Sequence, residues 1–295
     1  MRVLITGAKG LVGSALHQYC AAAGDEVLAY DHAALDISSA DEVQRCVRND
    51  RPAVVINCAA WTDVDGCETD PDKAYAVNAF GPENLARASR EVEAEFVTIS
   101  TDYVFDGEKG APYTEEDAPR PISVYGEAKL EGERRSQSVY ARTVVVRTGL
   151  IFGPGGRNFL SRVVDLAREG EQLFAISDAT GTPTYARDLA ARLRELAVLD
   201  HPGIFHVVNA GSGATYEQFS RAALRFAGLD DSLLKVVSMK SLKRPAPRPV
   251  DSRLECLSSK AVGLPELPTW EDGLHRFIEE STTEQRTSPL AHISN

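Results

Sequence analysis

The chain lacks any long apolar run, any excess of positive charge and any paired cysteine spacing, and each absence removes a class of function. With no stretch of about 18 consecutive apolar residues, no transmembrane helix is expected. Met1-Arg2-Val3 runs straight into an apolar segment without a separate signal region, so the expected location is cytoplasmic. The five cysteines (Cys20, Cys46, Cys58, Cys67 and Cys256) are odd in number and lack metal-ligand spacing. Reduced thiols are therefore expected in place of a disulfide framework or a zinc site. A formal net charge of −11 argues against nucleic acid and against an anionic membrane as partners. Asp63 and Asp65 do not begin a calcium loop, because Cys67 and Glu68 follow where further oxygen ligands are needed. What is present is 295 residues at 43% hydrophobic composition, enough for one large α/β domain with a smaller attached lobe.

The amino terminus reads as strand, glycine turn and helix. Residues 2–6 form a short apolar run, and Gly7-Ala8-Lys9-Gly10-Leu11-Val12-Gly13 leads into an amphipathic stretch. In such a turn one glycine permits the reversal, a second lets backbone approach a pyrophosphate, and a third packs helix on strand. The amides that open the helix then hold the anion. Residues 26–30 read as a second strand ending in Asp31, where an acidic residue takes the adenine ribose hydroxyls. That carboxylate favours NADH and repels the extra phosphate of NADPH, while Lys9 in the glycine loop can offset the repulsion, so both cofactors stay open. Asp36-Ile37 either edge the adenine or lead into a helix over 41–49, capped by Ser38 or Ser39.

Further strands at 54–57, 95–100 and 143–147 alternate with helices after Pro71 and around Tyr125. This predicts an α/β fold, a Rossmann-type doubly wound parallel sheet. The loop Asn57-Cys58-Ala59-Ala60-Trp61-Thr62-Asp63-Val64-Asp65 leaves the carboxyl end of the third strand, where ligands of open parallel sheets bind. Beyond it come helices at 158–168 and 184–199 and a strand at 203–208. Thr215 and Gln218 fit the capping box of a helix that Gly228 ends. Pro245, Pro247 and Pro249 predict an extended loop, and Thr269 caps a last helix to Glu280, with a loose tail at 281–295. Residues 1–149 are thus expected to bind a dinucleotide, with the chain returning to that domain around 178–210. Residues 150–295 mainly build a smaller α/β substrate-binding lobe. Its segment 235–260 carries seven basic residues against only Asp251 and Glu255, which suits a diphosphate.

Tyr125-Gly126-Glu127-Ala128-Lys129, with Ser100-Thr101-Asp102 upstream, carries the chemistry. A tyrosine titrates near ~10 and gives up a proton at neutral pH only where a cation favours the phenolate. In a helix Lys129, at i+4, lies on the face of Tyr125 and can be that cation. Pro119 and Pro121 block earlier helix and Ser123 can cap it. Reduction of a ketone builds alkoxide charge that a positioned acid relieves.

Taken in order, these motifs resemble the extended short-chain dehydrogenase/reductases that act on nucleotide sugars, and within them the dTDP-4-dehydrorhamnose reductase family. The resemblance is carried by Gly7 to Gly13, Leu35-Asp36-Ile37, Asn57 to Thr62, Val77-Asn78, Ser100 to Gly107, Tyr125 to Lys129, and Arg147 with Gly153-Pro154-Gly155-Gly156. Gly181-Thr182-Pro183-Thr184, Asp188-Leu189-Ala190 and Arg244-Pro245-Ala246 also fit, so it spans nearly the whole chain. It implies NADH or NADPH as cofactor and reduction of the 4-keto group of dTDP-4-dehydrorhamnose to dTDP-L-rhamnose. It places Thr101 on the substrate carbonyl, Asp102 on the sugar, Tyr125 as proton donor and Lys129 on the nicotinamide ribose. Gly7, Gly10, Leu11, Val12, Gly13, Asp31, Asp36, Ile37, Ala59, Ala60, Trp61 and Thr62 would join Tyr125 and Lys129 around the dinucleotide. Leu150 and Arg248 would face the substrate.

Asp102 is followed by Tyr103, where dehydratases of the superfamily carry an acid pair, so reduction is favoured over elimination. The chain departs from the family at Leu150, often tryptophan, and at Ala179, often glutamine. Ala15 stands where the family has a glutamate of an interface metal site, so no metal is expected. Two other readings remain: another nucleotide-sugar 4-ketoreductase, or a noncatalytic regulatory subunit like the methionine adenosyltransferase β subunit. A dTDP-sugar is the expected partner, and a homodimer is compatible with the sequence.

Overall fold

The computed structural model describes residues 1–287. In the first half, strands β1 (Arg2–Thr6), β2 (Glu26–Tyr30), β3 (Val54–Asn57), β4 (Glu95–Thr101) and β5 (Thr143–Thr148) alternate with helices. These are α1 (Leu11–Ala22), α2 (Ala40–Asp50), α3 (Val64–Thr69), α4 (Pro71–Tyr75), α5 (Gly81–Glu91) and α6 (Val124–Val139). The second half runs β6 (Ile151–Phe152), α7 (Phe159–Arg168), β7 (Leu173–Ile176), β8 (Thr180–Gly181), β9 (Thr184–Tyr185), α8 (Ala186–Val198) and β10 (Gly203–His206). It continues through β11 (Ala214–Thr215), α9 (Tyr216–Phe226), β12 (Leu234–Val237), α10 (Leu257–Ala261) and α11 (Trp270–Thr287).

Six strands form one parallel sheet in the order β10-β5-β4-β3-β1-β2. This is the expected Rossmann-type α/β fold. Every residue of β3 and β5 is buried, the uninterrupted burial of strands covered by helices on both faces. Helices α1 and α8 pack together over one face, where Leu16, Leu189 and Leu193 meet Ile5, Ile56 and Val146. Over the other, α2 and α5 bring Val43, Val47 and Leu85 to Leu4, Val55 and Phe96. Strand order reverses at β1, so the loops after β1 and β3 open side by side at a switch point, the usual ligand crevice of such sheets. The chain re-enters the sheet as β10, while β7 pairs with β12 in a smaller lobe whose core holds Phe152, Leu160, Phe219 and Trp270.

Local chemistry explains most element ends. Ser39 accepts from Glu42 N to cap α2, Ser123 from Gly126 N to cap α6, and Thr215 with Gln218 closes a capping box on α9. Three expectations change. Val64 and Asp65, expected in the loop after β3, instead open α3, because Asp63 accepts from Gly66 N as its cap. Thr184–Tyr185 leaves the helix expected at 184–199 to pair with β6. The last helix passes Glu280 and continues to Thr287, since the hydroxyls of Ser281, Thr282 and Thr283 return to carbonyls one turn back and neither glycine nor proline intervenes. The rest of the expected tail lies outside the described residues.

Candidate active site

The carboxyl ends of β1, β3 and β4 are tied by side chains. Thr6 Oγ1 donates to Asn57 Oδ1 at 2.6 Å, and Asn57 Nδ2 donates to Thr98 Oγ1 at 3.0 Å. Asn57 Oδ1 also accepts from Ala59 N at 3.1 Å, which fixes the loop leaving β3. A second clamp comes from Asn78, which lies in a stretch of π-helix over Ala76–Phe80. Its amide accepts from Trp61 N and donates to Trp61 O, both at 2.9 Å. The wider turn thus delivers a buried amide to the loop, a common use of π-bulges near functional sites.

The glycine turn meets this loop closely. Gly7 has a φ of +64°, and a Cβ there would lie 2.7 Å from Ala59 N. A Cβ on Gly13 would sit 2.2 Å from Gly7 O, so only hydrogen lets the helix pack on the turn. Gly10 begins α1 with no side-chain cap, which leaves the first amides of a 12-residue helix available to an anion. These features fit a dinucleotide pyrophosphate.

A cavity of about 580 Å³ opens beside the turn. It gathers Gly10, Leu11, Val12, Ala59, Ala60 and Thr62 with Thr101, Asp102, Tyr125, Lys129 and Leu150. Seven of the expected residues do not line it. Gly7 and Gly13 act through backbone packing, and Trp61 is held by Asn78 with Lys73 over its ring. Asp31 ends β2 and pairs with Lys9, which holds its carboxyl below the usual range. Asp36 accepts from Ser38 N at 2.9 Å and Ser38 Oγ at 2.7 Å, and Ile37 is 3% exposed in the core beside Gly81. Arg248 is salt-bridged to Asp65 at 2.9 Å and lines an adjoining side chamber.

Sequence reasoning missed Phe159, Phe174, Ile176 and Tyr216 in the wall, whereas Arg244, also lining it, belonged to the basic segment already singled out. Phe174 lies on β7, which has too few residues to show a pattern of its own. A second cavity of about 500 Å³, around Cys256 and Arg192, contains none of the expected site residues.

The groups expected to react sit at the floor. Ser123 starts α6 so that Tyr125 and Lys129 face β4, and they are 9% and 4% exposed. Lys129 Nζ donates to Ile99 O at 2.6 Å, and burial pulls its ammonium down to about 8. The Tyr125 phenol is pushed up chiefly by burial, with a Thr101 hydrogen bond opposing. Lys129 does not offset that rise in this arrangement: a buried ammonium needs an acceptor, and Lys129 takes the Ile99 carbonyl. Below them, Arg147 on β5 grips Glu133 on α6 at 2.7 Å, both side chains 2% exposed, and Ser100 donates to the same carboxylate. This pair couples β5 to the helix that carries Tyr125.

The comparisons with known proteins agree with this fold. A family model described as RmlD substrate binding domain matches residues 1–283. The chain is 39% identical to a dTDP-4-dehydrorhamnose reductase from Streptomyces griseus, over 92% of this chain and 91% of that one. It belongs to the dTDP-4-dehydrorhamnose reductase family. A crystal structure of the Bacillus anthracis dTDP-4-dehydrorhamnose reductase in complex with NADP matches with a TM-score of 0.91 at 35% identity, covering 95% of this chain and 99% of that one. A Streptomyces antibioticus relative named probable dTDP-4,6-dihydroxy-2-methyloxan-3-one 4-ketoreductase is 36% identical over 95% of both chains. As a member of the reductase family, the chain is an NAD(P)H-dependent oxidoreductase.

Proposed function

We propose that this reductase converts the 4-keto group of dTDP-4-dehydrorhamnose to the alcohol of dTDP-L-rhamnose, with Tyr125 as proton donor. The observation that carries the reading is the buried Thr101–Tyr125 pair, facing a cavity that reaches from the glycine turn to Arg244. Residues 1–149 with β10 hold the dinucleotide: Gly10, Leu11 and Val12 at the pyrophosphate, Asp31 with Lys9 toward the adenine ribose, and Ala59 to Thr62 along its length. Asp36 and Ile37 support the adenine end. When bound, the reduced nicotinamide supplies the hydride. Tyr125 Oη gives its proton to the carbonyl oxygen, Thr101 holds the Tyr125 phenol toward that oxygen, and Lys129 turns from Ile99 O to the nicotinamide ribose.

Residues 150–287 present the sugar nucleotide. Leu150, held at a φ of +43° beside Gly181, offers an apolar surface to the sugar, and such strain marks a functional position. Arg248 is committed to Asp65, so Arg244, which has no ion pair among the described residues, is assigned to the diphosphate. Arg244→Ala is expected to raise KM for the dTDP-sugar about tenfold, as loss of a charged hydrogen bond does, with KM for NADPH unchanged. Steady-state kinetics with each substrate varied would show it; equal rises in both KM values would refute the assignment.

The function itself is tested by incubating the protein with NADPH or NADH and dTDP-4-dehydro-L-rhamnose, following cofactor oxidation and identifying the sugar by NMR. Absence of dTDP-L-rhamnose would refute it. A second reading, another dTDP-4-keto sugar as substrate, is favoured by Leu150 in place of the family's frequent tryptophan and by the Streptomyces antibioticus relative. A panel of dTDP-4-keto sugars compared by kcat/KM separates the two.

A further inference from the structure

Asp102 is a buried carboxylate with no cation bonded to it among the described residues. It is 3% exposed, Oδ1 accepts from Thr101 Oγ1 at 3.1 Å, and Oδ2 accepts from Ser252 Oγ at 2.5 Å. The backbone at Gly149 closes over it, since a Cβ there would lie 2.5 Å from the carboxyl carbon. The titratable groups that face it are phenols: Tyr103 in its own turn, Tyr125 on α6 and Tyr216 on α9. Arg244 and Arg248 line the adjoining chamber but do not bond it. Burial pushes the Asp102 carboxyl up to about 6, and the Ser252 and Thr101 hydroxyls hold it down. Such a carboxylate is costly to keep.

Thr101 is where that cost has a use. A threonine hydroxyl has one proton and two lone pairs. Thr101 Oγ1 accepts from Tyr103 N at 3.1 Å, gives its proton to Asp102, and stands beside the Tyr125 phenol, whose rise it opposes. When Tyr125 becomes a phenolate it needs a donor, and Thr101 can supply one only by turning its proton away from Asp102. The carboxylate would then lose its Thr101 donor inside the protein. Ser252, 150 residues further along the chain, keeps it bonded.

We infer that Ser252 is a positioning residue for the reduction: its hydroxyl secures Asp102 while the Thr101 hydroxyl passes from that carboxylate to the Tyr125 phenolate. The inference rests on the proposed role of Tyr125 as proton donor. In the step, the Tyr125 Oη–H bond breaks and an O–H bond forms at the substrate carbonyl oxygen. Thr101 keeps its covalent proton and changes only its acceptor. Asp102 stays ionised, with both oxygens engaged in the resting site, and acts through Thr101 rather than as a sugar ligand. Ser252 lies in the carboxy-terminal segment that Arg248 ties to Asp65, so the segment beside the substrate also prepares the acid.

The test is Ser252→Ala, with Ser252→Cys as a near-isosteric variant whose thiol is a weak donor. The active form needs the Asp102 carboxylate, so activity falls as pH drops through its pKa. Removing a donor raises that pKa. The acid-side midpoint of kcat, expected near 6 in the wild type from the Asp102 value, should move up by about one pH unit in Ser252→Ala. It should move less, in the same direction, in Ser252→Cys. At neutral pH kcat should fall about tenfold with little change in either KM. A residue that merely held the fold would lower thermal stability and leave the midpoint in place. Independently of turnover, the carboxyl carbon of Asp102, assigned by its loss in Asp102→Asn, is titrated by ¹³C NMR in wild type and variants. An upward shift in Ser252→Ala supports the inference, and an unchanged midpoint overturns it even where kcat has dropped. Should the wild type fail to reduce dTDP-4-dehydrorhamnose, the proposed function falls while the NMR titration still decides the role of Ser252.

Discussion

Tyr125→Phe is expected to lower kcat by about 10²- to 10⁴-fold, the usual contribution of a positioned general acid, while binding of NADPH and the dTDP-sugar is retained. The substitution removes one oxygen from a side chain that is 9% exposed and packed with Cys67, Ala74 and Ala128, so the fold should tolerate it. Thr101 would remain in place, but no proton would be delivered, and the alkoxide would wait for water. Single-turnover kinetics at saturating substrate measure this directly. The pH profile gives a companion signature: Lys129, drawn down to about 8 by burial, acts as an ammonium, so activity should decline as pH rises through that value. Retention of more than about a tenth of wild-type kcat in Tyr125→Phe would assign the proton to another group.

Glu133→Ala should cost about 3–5 kcal/mol of stability, the range for breaking a buried ion pair from one side. Glu133 takes three contacts from Arg147 Nε and Nη2, between 2.7 and 3.2 Å, and a fourth from Ser100. Its removal strands the guanidinium of Arg147, which is 2% exposed and stacked over Phe105. Ser100 and Lys129 neighbour the same carboxylate, so the helix carrying Tyr125 would loosen from β4 and β5. Urea unfolding of both proteins checks the loss. A change below about 1 kcal/mol, the scale of an exposed pair, would show that the pair is not structural. Double replacement by a packed hydrophobic pair should recover much of the loss, because the penalty comes mainly from the orphaned charge.

The sequence made the first half of this protein readable because its signals are local. Apolar runs at 2–6, 54–57 and 143–147 became buried parallel strands, Ser39 and Ser123 became caps, and the glycine turn fell at the switch point. The placing of Tyr125 and Lys129 on one helix beside one cavity needed only helical spacing. What escaped depends on chain brought from far away. β7 and β12 are four residues each and exist because Leu173 to Ile176 finds Leu234 to Val237. Asn78 looks like an ordinary helical asparagine until the π-helical turn aims it at Trp61.

The site was legible in its residue types and less so in their alliances. Arg248, in the basic segment assigned to diphosphate, folds back on Asp65 across a separation of 183 residues. Asp102, which the resemblance places on the sugar, is already engaged by Ser252 and Thr101. Lys129 turns to a backbone carbonyl instead of lowering the Tyr125 phenol, because a buried ammonium must first find an acceptor. No spacing rule encodes these choices, since each follows from which partner reaches a buried charge first.

The central claim is that this chain delivers hydride to C4 of a dTDP-4-keto-6-deoxy sugar and a proton to its oxygen. Its most direct test uses NADPH or NADH carrying deuterium on the transferable face of the nicotinamide, with dTDP-4-dehydro-L-rhamnose, and locates the label by NMR and mass spectrometry. The account predicts dTDP-L-rhamnose with one deuterium, at C4, and none formed by Tyr125→Phe on the same timescale. Oxidised cofactor without deuterium at C4, or deuterium at any other carbon, would contradict it.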